Sequence, residues 1–228
     1  MTGAENIKRN IEDLKERISA AAERNGRDCN EITMVVVSKF RTAEEIQAVI
    51  GAGINDIGEN RVQEALTKRP KLNGSFVFRM IGHLQRNKAE DAVRIFDAID
   101  SVDSFRLGQR LSEELGKAGK NMPVLIQVNS SAEETKHGFE PEEIEEAAVT
   151  IGGLPGIELR GLMTIGPLTD DEREMRRAFE KTRALFEKIR AGRPEFKELS
   201  MGMSDDFEMA IEEGSTMVRI GRAIFEGR

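Results

Sequence analysis

Lys39 is the first residue whose position asks for chemistry. The segment MVVVSKF, residues 34 to 40, runs four apolar residues straight into Ser38 and Lys39. One account is a strand that ends with its lysine in water. The other is an amine held at the mouth of a parallel barrel, partly desolvated and close to other cations. An amine kept neutral in that way attacks an aldehyde or ketone and forms a Schiff base. At the far end of the chain, LSMGMSDDFEMAI sets Ser200, Gly202 and Ser204 just ahead of a helix start, and VRIGRAIF does the same with Gly221. The free N–H groups of a helix N-terminus favour phosphate, although ordinary strand-to-helix turns also use glycine and serine. Lysine and cradle together describe a pocket for an aldehyde that carries a phosphate.

Arg219 lies two residues before Gly221, so the two share one face of the last strand. It fits a salt bridge at the rim, or a cation facing a ring nitrogen of the ligand. A cation there keeps a pyridine nitrogen unprotonated and makes the ring a poor electron sink; enzymes that need a strong sink place an aspartate at that point.

The elements that must position these residues follow from periodicity. Ile7, Ile11, Leu14 and Ile18 recur at helical spacing, and Asn25-Gly26 stops that helix. Eight strand-like runs follow: ITMVVVSK, DIGEN, FVFRMIGHL, DAIDSVD, MPVLIQVNS, ELRGLMTIG, ELSMGMS and TMVRIG. Nearly every one precedes a helical stretch, and Thr42 and Glu45 stand at capping-box spacing. Strict alternation implies a parallel sheet. Eight units predict a (β/α)8 TIM-type barrel preceded by one extra helix. An open doubly wound sheet is the alternative that periodicity leaves standing. No linker interrupts the pattern, so residues 1–228 read as a single barrel domain with 1–25 as a helix packed on it.

In such a barrel the chemistry sits at the C-terminal strand ends. Those ends carry Lys39; Glu59 and Asn60; His83, with Gln85 and Asn87 beyond it; Asn129 and Ser130, with Lys136 in the next loop; Met163 and Thr164; Ser200, Gly202 and Ser204; and Arg219, Gly221 and Arg222. The first strand and the last two are neighbours in a closed barrel. Glu59 and Asn60 are candidates to orient the lysine or a ligand hydroxyl. His83 and Lys136 fit more simply as a hydrogen-bonded rim histidine and a solvated lysine.

Composition excludes several classes. Lys and Arg number 34 against 41 Asp and Glu, a net charge of −7, which argues against binding a nucleic-acid backbone. Cys29 is the single cysteine, so the chain makes no internal disulfide and no cysteine zinc site. His83 and His137 lie far apart in the sequence and read as no metal cluster. There is no apolar leader and no run near the roughly 18 apolar residues that span a bilayer. A cytoplasmic monomer, away from membranes, is the expectation.

The segments VVVSKF, IGENRVQEA, MIGHLQRNK, VLIQVNSSAEETKHGF, LRGLMTIG and LSMGMSDDFEMAIEEGSTMVRIGRAIF resemble the pyridoxal 5′-phosphate homeostasis proteins, the YggS-like family, over nearly the whole chain. The resemblance implies a barrel like the N-terminal domain of alanine racemase, with pyridoxal 5′-phosphate held covalently by Lys39. It implies phosphate contacts from Ser200, Gly221 and Arg222, and a pyridine nitrogen facing Arg219. The binding set it suggests is Lys39, Asn60, His83, Met163, Ser200, Gly202, Arg219, Gly221 and Arg222. One position departs: the family usually has Thr or Ser where this chain has Arg222, which puts a hydroxyl contact to the phosphate in doubt.

The family is thought to carry and regulate the cofactor rather than turn over a substrate, with apo-enzymes that use the cofactor as its possible recipients. The residues support that separately. An alanine racemase needs two opposed bases, a lysine and a tyrosine supplied with a second domain; this chain has no tyrosine and no room for that domain. The competing functions are a small amino-acid racemase, with Lys136 or His83 as the nearby second base, and a cofactor-free aldolase working through Lys39.

Overall fold

The computed structural model describes residues 3–130 and 137–227. Lys136 therefore lies outside the described residues. Helix α1, Gly3–Arg24, buries Ile7, Ile11, Leu14 and Ile18 together with Ala21 and Ala22, the stripe that their spacing predicts. Each large apolar side chain so buried contributes about 2 kcal/mol. The helix lies against the C-terminal end of the chain: Asn10 Nδ2 donates to the Ile224 carbonyl at 2.8 Å, and Arg17 pairs with Glu208 at 3.1 Å.

Eight parallel strands follow and close on themselves in sequential order. They are β1 Thr33–Val37, β2 Asp56–Glu59, β3 Val77–Met80, β4 Ala98–Val102, β5 Met122–Val128, β6 Ile157–Thr164, β7 Glu198–Ser200 and β8 Met217–Ile220. Between them run α2 Ala43–Gly51, α3 Val62–Lys68, α4 Ala89–Ile95, α5 Phe105–Ala118, α6 Ile144–Gly152, α7 Glu172–Arg190 and α8 Phe207–Glu212, with α9 Arg222–Phe225 after the last strand. Direct pairing of β8 with β1, Arg219 opposite Val35, excludes the open sheet. Thr42 caps α2 with the predicted reciprocal box to Glu45, and Gly119 ends α5 in the left-handed conformation.

The strands are shorter than their apolar runs. β7 stops at Ser200 rather than at Ser204, and β3 stops at Met80. Just beyond β3, a Cβ at Gly82 would stand 2.4 Å from the Asn60 carbonyl oxygen, so the chain there approaches the end of β2 too closely for a side chain.

Side chains of alternate parity fill the barrel. Val35, Leu125, Met163 and Met217 form an apolar layer inside it. The barrel also holds a charged cluster near the N-terminal strand ends, where Arg79 meets Asp56 at 2.7 Å, Glu198 at 3.1 Å and Asp100 at 3.3 Å. Asp100 is fully buried, and burial pushes its carboxyl up to about 6 while Arg79 pulls it down. Among the described residues no helix is long and apolar enough to cross a membrane.

Candidate functional site

The loops after the strands enclose a mouth with two adjoining lobes. The first, about 290 Å³, is lined by Lys39, Asn60, Ser204, Asp205, Arg219, Gly221 and Arg222, with Val37, Ile81, Ile165 and Met203 as its apolar wall. The second, about 230 Å³, shares Asn60, Ile81 and Ile165 and adds His83, Gln127, Asn129 and His137. A wider furrow of about 560 Å³ outside the mouth is lined by Arg86, Asn87, Arg106, Gln109, Arg110 and Glu113; of the residues expected at the strand ends it takes Asn87.

Lys39 follows β1 directly. The chain turns at once, because Phe40 adopts φ 62°, the one positive φ outside glycine among the described residues. That conformation costs a phenylalanine roughly 1–2 kcal/mol, and such strain gathers at ligand sites. A charged network holds the turn from both sides. Lys68 Nζ donates to the Ser38 carbonyl at 2.9 Å and to Glu59 and Glu64 at 2.7 Å each. Ser38 Oγ donates to Glu59 at 3.0 Å, and the Phe40 N–H donates to Glu64 at 3.2 Å. Glu64 is held below the usual carboxylate range: burial opposes this, but Lys68 and the Phe40 N–H prevail. Lys39 itself is exposed, so the expected partial desolvation is not met. Its ammonium has no partner among the described residues and is free to meet a ligand in the lobe.

Glu59 is fully buried against Lys68, and its contact with the mouth is indirect: Oε1 accepts the Asn60 N–H at 2.7 Å. The Asn60 side-chain oxygen is buried and has no hydrogen-bond partner among the described residues.

Arg219 is 4% exposed. It donates to Ser200 Oγ and to the Thr164 carbonyl, each at 2.7 Å, and both acceptors are neutral. No carboxylate among the described residues stands within ion-pair distance of it. Burial lowers its pKa to about 10, with Asp206 and Asp100 pulling the other way, so it is a cation at neutral pH. Buried charges are ordinarily paired; this one lines the lobe with no counter-ion in contact.

Around it, Gly221 N–H donates to Ser204 Oγ at 3.3 Å, tying the loop before α8 to the loop before α9. The N–H groups of Arg222 and Ala223 open α9 and have no intrahelical acceptor. The Arg222 guanidinium pairs with Asp205 at the rim. Gly202 adopts φ +90°, and a Cβ there would lie 2.6 Å from the Ala210 Cβ, so glycine lets this loop fold onto α8.

Of the nine residues suggested by the sequence, Lys39, Asn60, Arg219, Gly221 and Arg222 meet in the first lobe. Met163 and Ser200 lie beneath it, fully buried, and Ser200 is occupied by Arg219. Gly202 shapes the loop. His83 faces the second lobe. Ser204 is the serine that lines the first lobe, two alternations beyond Ser200. His83 and His137, distant in the sequence, are stacked with ring centroids 3.7 Å apart, which corrects the expectation that they lie far from each other. Lys68 and Glu64 carried no signal beyond their i,i+4 spacing.

The family model of the alanine racemase N-terminal domain matches residues 4–228. A pyridoxal phosphate homeostasis protein of Escherichia coli strain K12 is 40% identical, with 97% of each chain covered. A solved protein from Bifidobacterium adolescentis superposes with a TM-score of 0.92 at 38% identity, over 97% of this chain and 95% of that one. The PipY structure of Synechococcus elongatus PCC7942 with PLP bound superposes with a TM-score of 0.79 at 32% identity, over 93% of this chain and 99% of that one.

Proposed function

We propose, for a chain that belongs to the pyridoxal phosphate homeostasis family, that the first lobe binds pyridoxal 5′-phosphate and that the protein carries this cofactor without turning over a substrate. The observation that carries the reading is the meeting of Lys39 with a buried Arg219 that lacks a carboxylate partner, in a lobe sized for one small ring. The donor set fits the cofactor. Lys39 supplies an amine that takes the aldehyde as a Schiff base, with loss of water. Ser204 and the N–H groups of Arg222 and Ala223 receive the phosphate. The backbone of Arg222 makes this contact, since its guanidinium is engaged by Asp205. Asn60 stands in the wall of the lobe beside the ring.

Arg219 faces the ring nitrogen and keeps it unprotonated, which makes the ring a weaker electron sink than an aspartate would. No tyrosine in the sequence can serve as a second base. The missing tyrosine favours carriage over racemisation, with delivery to cofactor-requiring apo-enzymes as the use of the bound pool.

The test is reduction of the cofactor-loaded protein with borohydride, followed by peptide mapping. A pyridoxyl group on Lys39, absent from Lys39→Ala, is the expected result. A reduced adduct on other lysines alone overturns the site. Exchange of α-deuterium into any amino acid of a broad panel, lost in Lys39→Ala, overturns the carrier reading.

A further inference from the structure

The second lobe holds a group of side chains that the cofactor reading does not use. His83 follows β3, Asp103 follows β4 and His137 lies in the connection after β5, so three consecutive strand ends each contribute one metal-ligating residue. His83 Nδ1 is 2.7 Å from Asp103 Oδ2. His137 Nδ1 is 3.9 Å from the same oxygen. The two rings stack within 9° of parallel, and the three donor atoms all lie within 4.8 Å of one another.

The surroundings favour a cation. The Asp103 side chain is only 9% exposed, and no lysine or arginine among the described residues pairs with it. Its neighbours are two imidazoles, which are neutral donors when unprotonated. The histidine side chains are 41% and 56% exposed, so an ion can reach them. Metal–ligand bonds of zinc length, about 2.0–2.2 Å, set tetrahedral donors about 3.3 Å apart. The 2.7 and 3.9 Å separations bracket that value, and shifts of roughly half an ångström reach it. His137, the more exposed ring, must tilt out of the stack so that its lone pair converges with that of His83.

We propose that His83, Asp103 and His137 bind one divalent transition-metal ion of the zinc class at the mouth of the second lobe. Two imidazoles and one carboxylate suit zinc, cobalt, nickel or copper(II), whereas calcium and magnesium prefer all-oxygen sites. The ion clips the ends of β3 and β4 to the connection after β5. Three protein ligands leave a coordination position open toward the lobe, where Gln127 and Asn129 stand.

The test titrates zinc, and separately cobalt(II), into the full chain after dialysis against a chelator, with no cofactor added. One equivalent of zinc binds saturably, and cobalt(II) gives visible d–d absorption with nitrogen-ligand character. His83→Ala and His137→Ala each weaken zinc at least tenfold and abolish the cobalt spectrum. Both histidines are partly exposed, and an unchanged far-UV spectrum verifies that the variants fold. Asp103→Asn weakens binding in the same way; if it does not fold, the histidine variants decide alone. Absence of saturable binding, or binding that either histidine variant retains in full, overturns the proposal.

Discussion

Lys68→Met tests whether the turn that presents Lys39 is held by a buried charge network. Methionine keeps the length of the side chain and removes its charge. Wild-type Lys68, 11% exposed, satisfies Glu59, Glu64 and the Ser38 carbonyl together. In the variant Glu64, 23% exposed, turns to water. Glu59 is fully buried and cannot; it keeps hydrogen bonds from Ser38 Oγ and the Asn60 N–H but loses its only counter-ion among the described residues. Stranding one partner of a buried pair costs about 3–5 kcal/mol. The two surviving bonds put the expectation near the low end, about 3 kcal/mol. For a urea slope near 3 kcal/mol per M, the unfolding midpoint falls by about 1 M.

The double variant Glu59→Gln/Lys68→Met separates charge from packing. If the uncompensated carboxylate is the cause, the double variant recovers at least half of the loss. The network also grips the chain on both sides of Lys39, so Lys68→Met slows borohydride-trapped labelling of Lys39 by pyridoxal 5′-phosphate. Glu59→Gln/Lys68→Met, which restores stability but not the grip on the Ser38 carbonyl, leaves labelling slow. A Lys68→Met midpoint within about 0.2 M of wild type, on the same slope, refutes the reasoning, as does a double variant no more stable than the single one.

Two further substitutions probe the barrel interior. Arg219→Met removes a buried cation whose direct partners are neutral, so no charge is stranded in contact. Stability then changes by less than about 2 kcal/mol, while the absorption spectrum of bound pyridoxal 5′-phosphate shifts because the ring nitrogen is released from a neighbouring cation; a loss above 4 kcal/mol by denaturant unfolding would reject this account. Asp100→Asn probes the carboxyl that burial raises to about 6. The native state then holds a proton that the unfolded chain, near 4, releases. The wild type therefore loses stability from this group as pH rises from 4 through 6, by up to about 3 kcal/mol. Asparagine has no such term, so wild-type minus variant unfolding free energy falls across that window; a flat difference curve rejects the raised pKa.

Periodicity in the chain locates the strands, and alternation orders them. Once the barrel closes β8 onto β1, Lys39 just beyond β1 and Arg219 on β8 line one lobe. What periodicity leaves undetermined is depth. Ser200, Gly202 and Ser204 share one parity, so a period of two cannot choose among them. The choice depends on where β7 leaves the sheet, and it leaves at Ser200. Ser200 is then deep enough to hold Arg219, and Ser204 is left to line the lobe. Met163 and Ile165 repeat the pattern on β6, the first inside the barrel and the second at its mouth.

The remaining features depend on partners that local sequence does not name. Phe40 is an unlikely residue for positive φ by composition, and only the grip of Glu64 and Lys68 explains why it turns there. Arg79 sits inside a strand that reads as apolar because three carboxylates from other strands surround it. The histidines show the same rule at the rim. His83 and His137 are separated by two strands and two α-helices, yet closure of the barrel brings every strand end to one ring, so residues a whole unit apart become neighbours. Distance along the chain therefore carries little weight against metal binding in this fold. The question for any pair of ligands is which strand ends they follow, and Asp103 stands on the strand between those of His83 and His137. That placement makes the mouth divisible, with a cationic lobe at β1 and β8 for a phosphate-bearing aldehyde and an imidazole–carboxylate lobe at β3 to β5. Asn60, Ile81 and Ile165 border both, so occupation of one lobe bears on the shape of the other through these three shared residues.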